Sequence, residues 1–216
     1  MKKAFLYLLA ILIPSIGMNL VALPPKKDTV GFNKKKARYG DFAHGGVVIY
    51  VTPDGLSGLV VAIEDVEGTY PWTPTGDSTA DCGADFNEGL PVESGILYPG
   101  QKNTTAILNY YAANDNPYAA KAAANYSVTI DGITYDDWFL PSVREGAIMV
   151  ASVGVINEVS AANGGSEMSE DNWASLQDQT SPGLYSMVLR LSRQASTQFN
   201  KSNTYKVRPV RVFNQF

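Results

Sequence analysis

The sequence is poor in two residue types that many enzymes use for catalysis and metal binding. Its 216 residues include one cysteine, Cys82, and one histidine, His44. A lone cysteine cannot form a disulfide within the chain, so the fold has to rest on its hydrophobic core. A lone histidine excludes sites built from several histidines and most nucleophilic triads. We therefore expect a structural or solvent-exposed role for His44, an incidental one for Cys82, and no enzymatic activity.

Basic residues and nucleotide-binding loops are also scarce. The chain carries 17 lysines and arginines against 21 aspartates and glutamates, a formal net charge of -4. Proteins that bind nucleic acid need a basic surface to displace counterions. The basic cluster formed by residues 34–36 and Arg38 lies near the N-terminus, where we expect a solvated segment. Neither a Walker A loop nor a glycine-rich dinucleotide fingerprint occurs. No nucleic-acid partner is expected.

No apolar run reaches the length of about 20 residues that a membrane-spanning helix needs. The run near the N-terminus covers residues 4–13, follows Lys2 and Lys3, and ends at Pro14. Such a short run between positive charge and small residues is typical of a secretory signal peptide. We assign residues 1–22 to this signal and expect no transmembrane segment after its removal. A permanent membrane anchor is the alternative interpretation.

The signal peptide predicts a mature protein outside the cytoplasm. Cleavage after Gly17 and cleavage after Ala22 remain alternatives. Removal takes away Lys2 and Lys3 and no acidic residue, so lysine plus arginine falls from 17 to 15 against 21 acidic residues, a net charge of -6. We expect a secreted or cell-envelope protein, in the periplasm or on the outer surface.

The rest of the chain is predicted to form a leader and one domain. Residues 23–44 contain adjacent prolines and several lysines, which indicates an exposed basic leader. Two β-rich runs at 47–51 and 58–63 flank a Pro-Asp-Gly turn sequence, as in a β-hairpin. The last strand is predicted at 205–213. We expect the first and last strands to lie in one sheet of a single domain at 45–216.

A long loop and two short helices are predicted between these strands. Residues 69–100 are dense in glycine, proline and small polar residues, as in many functional loops. Helices are predicted at 104–113 and, from an Asn-Pro start, at 116–123. The dipeptide at 131–132, Asp-Gly, predicts the tight turn of a second hairpin.

A longer helix is predicted to follow residue 141. Ser142 and Glu145 have the spacing of a capping box, in which each side chain bonds to the backbone at the other residue. Apolar residues recur at helical spacing up to residue 159, and glycines at 164–165 end the pattern. We expect this helix to pack on the sheet.

The C-terminal part is predicted to be β-structure. Strands are expected at 185–191 and 205–213, with Lys206 and Arg208 on a more polar face of the last strand and Arg211 as a further candidate for that face. Pro209 cannot donate a backbone hydrogen bond, which predicts that this strand lies at a sheet edge or contains a bulge.

Carboxylates remain as candidates for chemistry. Asp136 and Asp137 are adjacent on an extended segment, so they point to opposite faces and cannot share one proton. Loop carboxylates and amides are also the oxygen ligands that calcium prefers. The sequence lacks an Asp-x-Asp-x-Asp-Gly run, so calcium binding is left open, the metal ligands are unknown, and no other cofactor is expected.

Several segments together resemble one bacterial family. They are GGVVIYV (45–51), NTTAI (103–107), YDDWFLPS (135–142) with Glu145, NWAS (172–175) and NKSNTYKVRPVR (200–211). In these segments the chain resembles the Lcl C-terminal domain family, also described as a major paralogous domain, of exported and cell-surface proteins. The resemblance covers residues 45–213, and DWFLPS and VRPVR are its most specific parts.

The resemblance implies an α+β fold similar to C-type lectins and sulfatase-modifying factors, with paired N- and C-terminal strands, a few helices and long loops. The ligand-binding residues on the family-like segments would be Asp136, Asp137, Trp173, Tyr185, Asn203 and Arg208. The structural residues of the motif would be Trp138, Pro141, Ser142, Glu145 and Pro209. The chain departs from the family pattern at 173–176, with Trp-Ala-Ser-Leu for Trp-Ser-Ser-Thr, and at 184–185, with Leu-Tyr for Trp-Tyr.

The expected function is therefore recognition. We expect a non-enzymatic exported domain that binds a glycan or a protein at the cell surface or in the extracellular space. A structural or assembly domain without a specific ligand is the alternative, and an oxidase-type enzyme of lectin-like fold is a third. We also expect Trp138 to be buried, and Asp136 or Asp137 to bond to the backbone or to an arginine.

Overall fold

The computed structural model describes residues 36–74, 81–85 and 98–214. The predicted signal peptide, most of the predicted leader and much of the predicted long loop lie outside these residues. The strands are β1 (Phe42–Ala43), β2 (Gly46–Val51), β3 (Ser57–Val61), β4 (Tyr70–Pro71), β5 (Val128–Ile130), β6 (Ile133–Tyr135), β7 (Asp171–Gln177), β8 (Tyr185–Arg190), β9 (Ala195–Asn200), β10 (Thr204–Tyr205) and β11 (Val210–Asn214). The helices are α1 (Pro99–Tyr110), α2 (Ala119–Asn125), α3 (Val143–Ala151) and α4 (Val153–Ala162).

A four-stranded antiparallel sheet joins the two ends of the described chain. Its strand order is β1-β2-β3-β11. The prediction that the first and last strands share one sheet is confirmed. The prediction that these two strands pair directly is wrong, because β3 lies between β2 and β11 and pairs antiparallel with both. The β2–β3 hairpin uses one edge of β3 and leaves the other edge for the last strand.

Both faces of this sheet are covered, which explains why its strands are mostly apolar. Alternate residues of a strand point to opposite faces. On one face Val47 belongs to a cluster with Met149 of α3 and Ile156 of α4. On the other face Val48 belongs to a cluster with Trp138. The prediction that the helix starting after Ser142 packs on the sheet is confirmed.

Among the described residues, regular structure is present before the predicted domain start at Gly45. Ala37 is buried, and Phe42 and Ala43 pair with β2. His44 and Gly45 form the turn between these strands with φ angles of 54° and 92°. Two successive positive φ angles are characteristic of the tightest hairpin turns. The predicted exposed leader therefore extends too far at its C-terminal end.

Three smaller β units complete the structure. Strands β7, β8 and β9 form an antiparallel sheet in that order, β4 pairs with β10, and β5 pairs with β6. The β5–β6 turn has φ angles of 50° at Asp131 and 79° at Gly132, so the predicted hairpin is confirmed. With four helices and several antiparallel sheets, the described chain is an α+β protein.

The helices agree with the predictions in position more than in extent. The capping box is present, since Glu145 N–H donates to Ser142 Oγ and Ser142 N–H donates to the Glu145 carboxylate. The prediction of a single long helix is wrong, because the chain bends by 72° at Ser152, between α3 and α4. Neither helix alone, nor any other in the described part of the chain, is long and apolar enough to span a membrane.

The two preceding helices begin elsewhere than predicted. Helix α1 starts at Pro99, five residues before the predicted start at Thr104, because a proline fits the first helical turn. Helix α2 starts at Ala119 after an extended Tyr118, so the predicted start at Asn116 is wrong.

The predicted last strand is divided in two. Strand β10 ends at Tyr205 and β11 begins at Val210, directly after Pro209. Strand β11 is the last strand in its sheet, which confirms the predicted edge position. The predicted polar face is wrong for Arg208 and for Arg211, which are both fully buried. Inside the fold Arg208 pairs with Asp65 and Ser160, and Arg211 pairs with Asp137.

Candidate functional site

A groove of about 480 Å³ opens between α2, the segment before it and β4. This volume lies within the range of about 300 to 1,000 Å³ that is usual for ligand pockets. The groove is lined by apolar side chains, two tyrosine rings and four polar side chains. Its lining residues are Val66, Tyr70, Asp115, Pro117, Lys121, Ala122, Asn125, Tyr126 and Ser127.

Tyr70 forms one wall of the groove and is fixed from two directions. In β4 it pairs with Tyr205 of β10. Its hydroxyl donates a 2.7 Å hydrogen bond to the carbonyl oxygen of Glu67. Its own carbonyl oxygen accepts a 2.7 Å hydrogen bond from the indole Nε1 of Trp173. The ring is therefore held by backbone and side-chain contacts while it remains partly exposed.

Tyr126 is the second tyrosine of the groove. Its ring meets the indole of Trp138 edge to face, with centroids 5.2 Å apart. Its hydroxyl donates a 3.4 Å hydrogen bond to Glu64 Oε1. Burial and the nearby Glu64 carboxylate raise the pKa of Tyr126 to about 12. The phenol is therefore neutral at physiological pH and keeps its proton for the hydrogen bond to Glu64.

The rim of the groove is polar and contains both charges. Lys121 Nζ lies 3.8 Å from Asp115 Oδ1 and donates a 3.1 Å hydrogen bond to the carbonyl oxygen of Asn114. Asp115 is fully exposed, and Asn125, the last residue of α2, is exposed as well. The rim thus combines carboxylate, amide and ammonium groups next to tyrosine rings.

Two of the predicted ligand residues lie behind the groove and not in it. Trp173 and Arg208 are both fully buried, so neither can contact a ligand in this structure. The indole Nε1 of Trp173 donates a hydrogen bond to the backbone carbonyl oxygen of Tyr70. Arg208 donates to Ser160 Oγ at 3.1 Å and lies 3.4 Å from Asp65 Oδ1, next to the groove residue Val66. Their prediction as binding residues is wrong; they support the wall of the groove.

The structure distributes the other predicted ligand residues over separate elements. Asp137 forms an ion pair with the buried Arg211, and Asp136 beside it is exposed. Tyr185, 38% exposed, begins β8, and Asn203 lies in the exposed turn between β9 and β10. None of these four lines the groove.

The predicted structural residues have the expected roles. Trp138 is 3% exposed and its indole donates a 3.0 Å hydrogen bond to the carbonyl oxygen of Tyr135. Ser142 and Glu145 cap α3, and the carbonyl oxygen of Pro141 accepts a hydrogen bond from Ser175 N–H. The predictions that Trp138 is buried and that one of the adjacent aspartates bonds to an arginine are confirmed.

The Cys82 thiol and possible metal ligands are the remaining candidates for chemistry. Cys82 is buried, and burial raises the pKa of its thiol to about 11, so the thiol is protonated at neutral pH. A protonated thiol is a poor nucleophile. Within residues 36–74, 81–85 and 98–214, no group of three or more His, Cys, Asp or Glu side chains could hold a metal ion.

Comparisons with known proteins add no relative: no family model matches the chain, and a search of curated proteins finds no match. Sequence reasoning missed the groove residues Tyr70, Asp115, Asn125 and Tyr126, which come from three separate segments. Asn125 and Tyr126 are adjacent, but nothing in the sequence indicates that Tyr70 and Asp115 lie beside them.

Proposed function

We propose that the chain is an exported binding domain that recognises a glycan in the groove between α2 and β4. The observation that carries this proposal is the pair of anchored tyrosines, Tyr70 and Tyr126, set among exposed amide and carboxylate groups. The C–H face of a sugar ring packs on an aromatic ring, and tyrosine combines an apolar ring with a polar hydroxyl. The hydroxyl groups of the sugar form hydrogen bonds with the polar side chains at the rim of the groove.

The charge around the groove favours a neutral or amino sugar. Asp115 and the Glu64 partner of Tyr126 are acidic, and Lys121 is already engaged by Asp115 and a carbonyl oxygen. The whole chain carries a net charge of -4. A sulphated or phosphorylated glycan would meet repulsion here, because binding of polyanions relies on a basic surface. The charge at the groove therefore disfavours the binding of anionic glycans.

The wider assignment rests on the sequence segments named above. We propose that the chain belongs with the Lcl C-terminal domains, adopts a C-type-lectin-like arrangement and acts outside the cytoplasm as a secreted or surface protein. The α+β architecture and the shared sheet of the first and last strands support this assignment. Calcium, which many lectin-like sites use, is included in the test because exposed carboxylate and amide oxygens lie on the rim.

Glycan binding can be measured on the purified mature chain. An array of neutral, amino-sugar and sulphated oligosaccharides, with calcium and with a chelator, identifies the class, and calorimetric titration gives the affinity. We expect signals from neutral or amino sugars and not from sulphated ones. Absence of any glycan signal under both conditions contradicts the proposal and favours a structural or protein-binding role.

Point variants locate the site. Tyr70→Ala and Asn125→Ala should each weaken binding by about tenfold or more, equivalent to ~1.4 kcal/mol of binding free energy. Tyr39→Ala is the matched control, because Tyr39 is a 53% exposed tyrosine outside the groove. Thermal melts of all three variants separate lost contacts from lost folding. Wild-type affinity in both groove variants would place the ligand elsewhere.

A further inference from the structure

A fully buried lysine lies at one end of the three-stranded sheet. Lys201 directly follows the last residue of β9 and has no exposed surface. Its Nζ lies 4.2 Å from the centre of the Trp72 ring and donates a 2.5 Å hydrogen bond to the carbonyl oxygen of Pro182. Burying an ammonium group is costly unless several partners hold it. These contacts fix the amine in one place.

The side-chain amide of Gln177 lies against this amine. Gln177 is the last residue of β7 and is 2% exposed. Lys201 Nζ lies 3.3 Å from Gln177 Oε1. Because Oε1 is bonded to the amide carbon, Cδ, the amine lies on the oxygen side of the amide that it would attack. Attack needs the amine about 3 to 3.5 Å from Cδ itself, so the amide has to turn toward Lys201 before the reaction.

Both ends of the Gln177 amide have polar partners. The backbone N–H of Cys82 donates to Oε1 at 3.4 Å, and the Cys82 thiol lies 3.5 Å from the same oxygen. At the other end, Nε2 donates a 2.6 Å hydrogen bond to Asp81 Oδ1. Donors at a carbonyl oxygen stabilise the negative charge that develops there when a nucleophile adds. A carboxylate at the nitrogen can accept a proton and then, as a carboxylic acid, deliver it to the departing ammonia.

We propose that Lys201 and Gln177 become joined by an intramolecular isopeptide bond, formed when the lysine amine attacks the glutamine amide beside Asp81. The bond between Nζ and Cδ forms, and the bond between Cδ and Nε2 breaks. The nitrogen of the glutamine amide leaves as ammonium. The reaction is an exchange of one amide for another, so neither an oxidant nor a cofactor is consumed.

Asp81 accounts for the protons. Hydrogen bonds from the Gly83 N–H and the Gln177 amide hold the pKa of Asp81 below its usual value, so it starts as a carboxylate. It accepts a proton from the Lys201 ammonium group, which frees the lone pair for attack. Of the three ammonium protons, one stays on the new amide nitrogen. The other two pass through Asp81 to the departing nitrogen.

The bond has a clear consequence for an exported chain. It connects the end of β7 to the residue after β9, two positions that are 24 residues apart, across the intervening strand β8. A covalent link of this kind restricts the unfolded chain as a disulfide does. The single cysteine of this sequence excludes an internal disulfide, and an amide link needs no oxidising compartment.

The mass of the purified wild-type protein tests the bond directly. The full-length gene is expressed, the N-terminal residue of the product is identified, and the denatured chain is weighed by mass spectrometry. We expect a mass below that of the sequence by one ammonia, about 17 Da, and a branched peptide joining residues 177 and 201. Trypsin should leave the backbone uncut after Lys201. A wild-type chain with its full sequence mass and two unlinked peptides overturns the proposal.

Variants assign the mass difference to these groups, whether or not they fold stably. Lys201→Met and Gln177→Met should each have the full mass of their own sequences, whereas Lys206→Met, a matched lysine variant in the following segment, should retain the deficit. Asp81→Asn should slow bond formation by about a hundredfold, seen as unlinked chain in freshly made protein. A deficit that persists in Gln177→Met, or linkage at the wild-type rate in Asp81→Asn, contradicts the mechanism.

Discussion

Arg211 and Asp137 form a two-point ion pair inside the fold. Arg211 Nε donates to Asp137 Oδ1 at 2.6 Å, and Nη2 donates to Oδ2 at 3.2 Å. The arginine also donates to the carbonyl oxygen of His44 at 2.8 Å and stacks its guanidinium over the Tyr135 ring. The pair therefore links β11, the β1–β2 turn and the corner before α3. This role is structural, although Asp137 is among the predicted ligand-binding residues.

Asp137→Ala should destabilise the protein strongly. It leaves the Arg211 guanidinium buried, with 1% of its side chain exposed, and removes the carboxylate that pairs with it. Removing one member of a buried pair costs about 3 to 5 kcal/mol. Asp171→Ala is the control, because Asp171 and Arg190 form the same kind of pair with 24% of each side chain exposed. There we expect at most about 1 kcal/mol. Equal losses in chemical denaturation would contradict this reading of Asp137.

Trp138→Ala should unfold most of the domain at 37 °C. Trp138 packs against the sheet and against Tyr126, and its indole nitrogen is bonded inside the core. Loss of a buried tryptophan costs about 3 to 5 kcal/mol of the roughly 5 to 15 kcal/mol that stabilise a domain. Tyr185→Ala, at an exposed aromatic residue, should change stability by about 0.5 kcal/mol or less. A Trp138→Ala melting curve like that of the wild type, together with lost glycan binding, would make this corner a ligand site.

Cys82→Ser should preserve the fold and glycan binding. The thiol is 8% exposed and is not part of the groove. Replacement of sulfur by a hydroxyl group at a buried site should cost about 1 to 2 kcal/mol, which thermal denaturation can measure. Any activity of the protein that disappears in folded Cys82→Ser would show that the thiol does chemistry, contrary to our expectation.

Local sequence signals predicted local structure well. The Ser142 capping box and the Asp131-Gly132 turn depend on residues that are neighbours in sequence, and both occur as predicted. The sequence does not predict the bend at Ser152, because no proline marks it. Apolar periodicity continues through the bend, so the pattern alone does not reveal it.

The burial of two expected ligand residues, Trp173 and Arg208, was not foreseen from the sequence, for a physical reason. Burial of Arg208 depends on Asp65, 143 positions away, and burial of Trp173 depends on contacts with Tyr70, 103 positions away. Charged and aromatic residues on a strand look exposed until such partners are known. The groove also depends on contacts between distant segments, since only the fold brings Tyr70 and Tyr126 to the same groove. Family-like segments therefore indicated the supporting layer of the groove and not its surface.

Export predicts a defined N-terminus. A signal peptide at residues 1–22 should be removed, so mature protein should begin between Met18 and Leu23. N-terminal sequencing of protein from the culture medium and from the cell envelope distinguishes cleavage after Gly17 from cleavage after Ala22. Replacing Lys2 and Lys3 by glutamate should reduce export, because the positive charge orients the signal. Envelope or secreted protein that retains Met1 would support a permanent anchor.

Glu145 should make stability depend on pH near neutrality. It is fully buried, and burial raises its pKa to about 7 from the ordinary value of 4.5, although N–H groups of Ser142 and Gly100 partly oppose this. The folded state therefore binds a proton more tightly than the unfolded state. The resulting stability is fully present below pH 4.5 and is lost as the pH rises through about 7. At about 1.4 kcal/mol per pKa unit, the loss amounts to a few kcal/mol.

The contribution of Glu145 can be isolated from that of other carboxylates. Asp54, Asp81 and Asp178 have lowered pKa values owing to hydrogen bonds, so they act in the opposite direction, at lower pH. Urea denaturation from pH 4.5 to 8 should therefore show a fall in unfolding free energy for the wild type that is absent in Glu145→Gln. Glu158→Gln, at an exposed site on α4, should keep the wild-type slope. A flat wild-type profile would mean that backbone N–H groups at the starts of α1 and α3 stabilise the ionised carboxylate as well as water does.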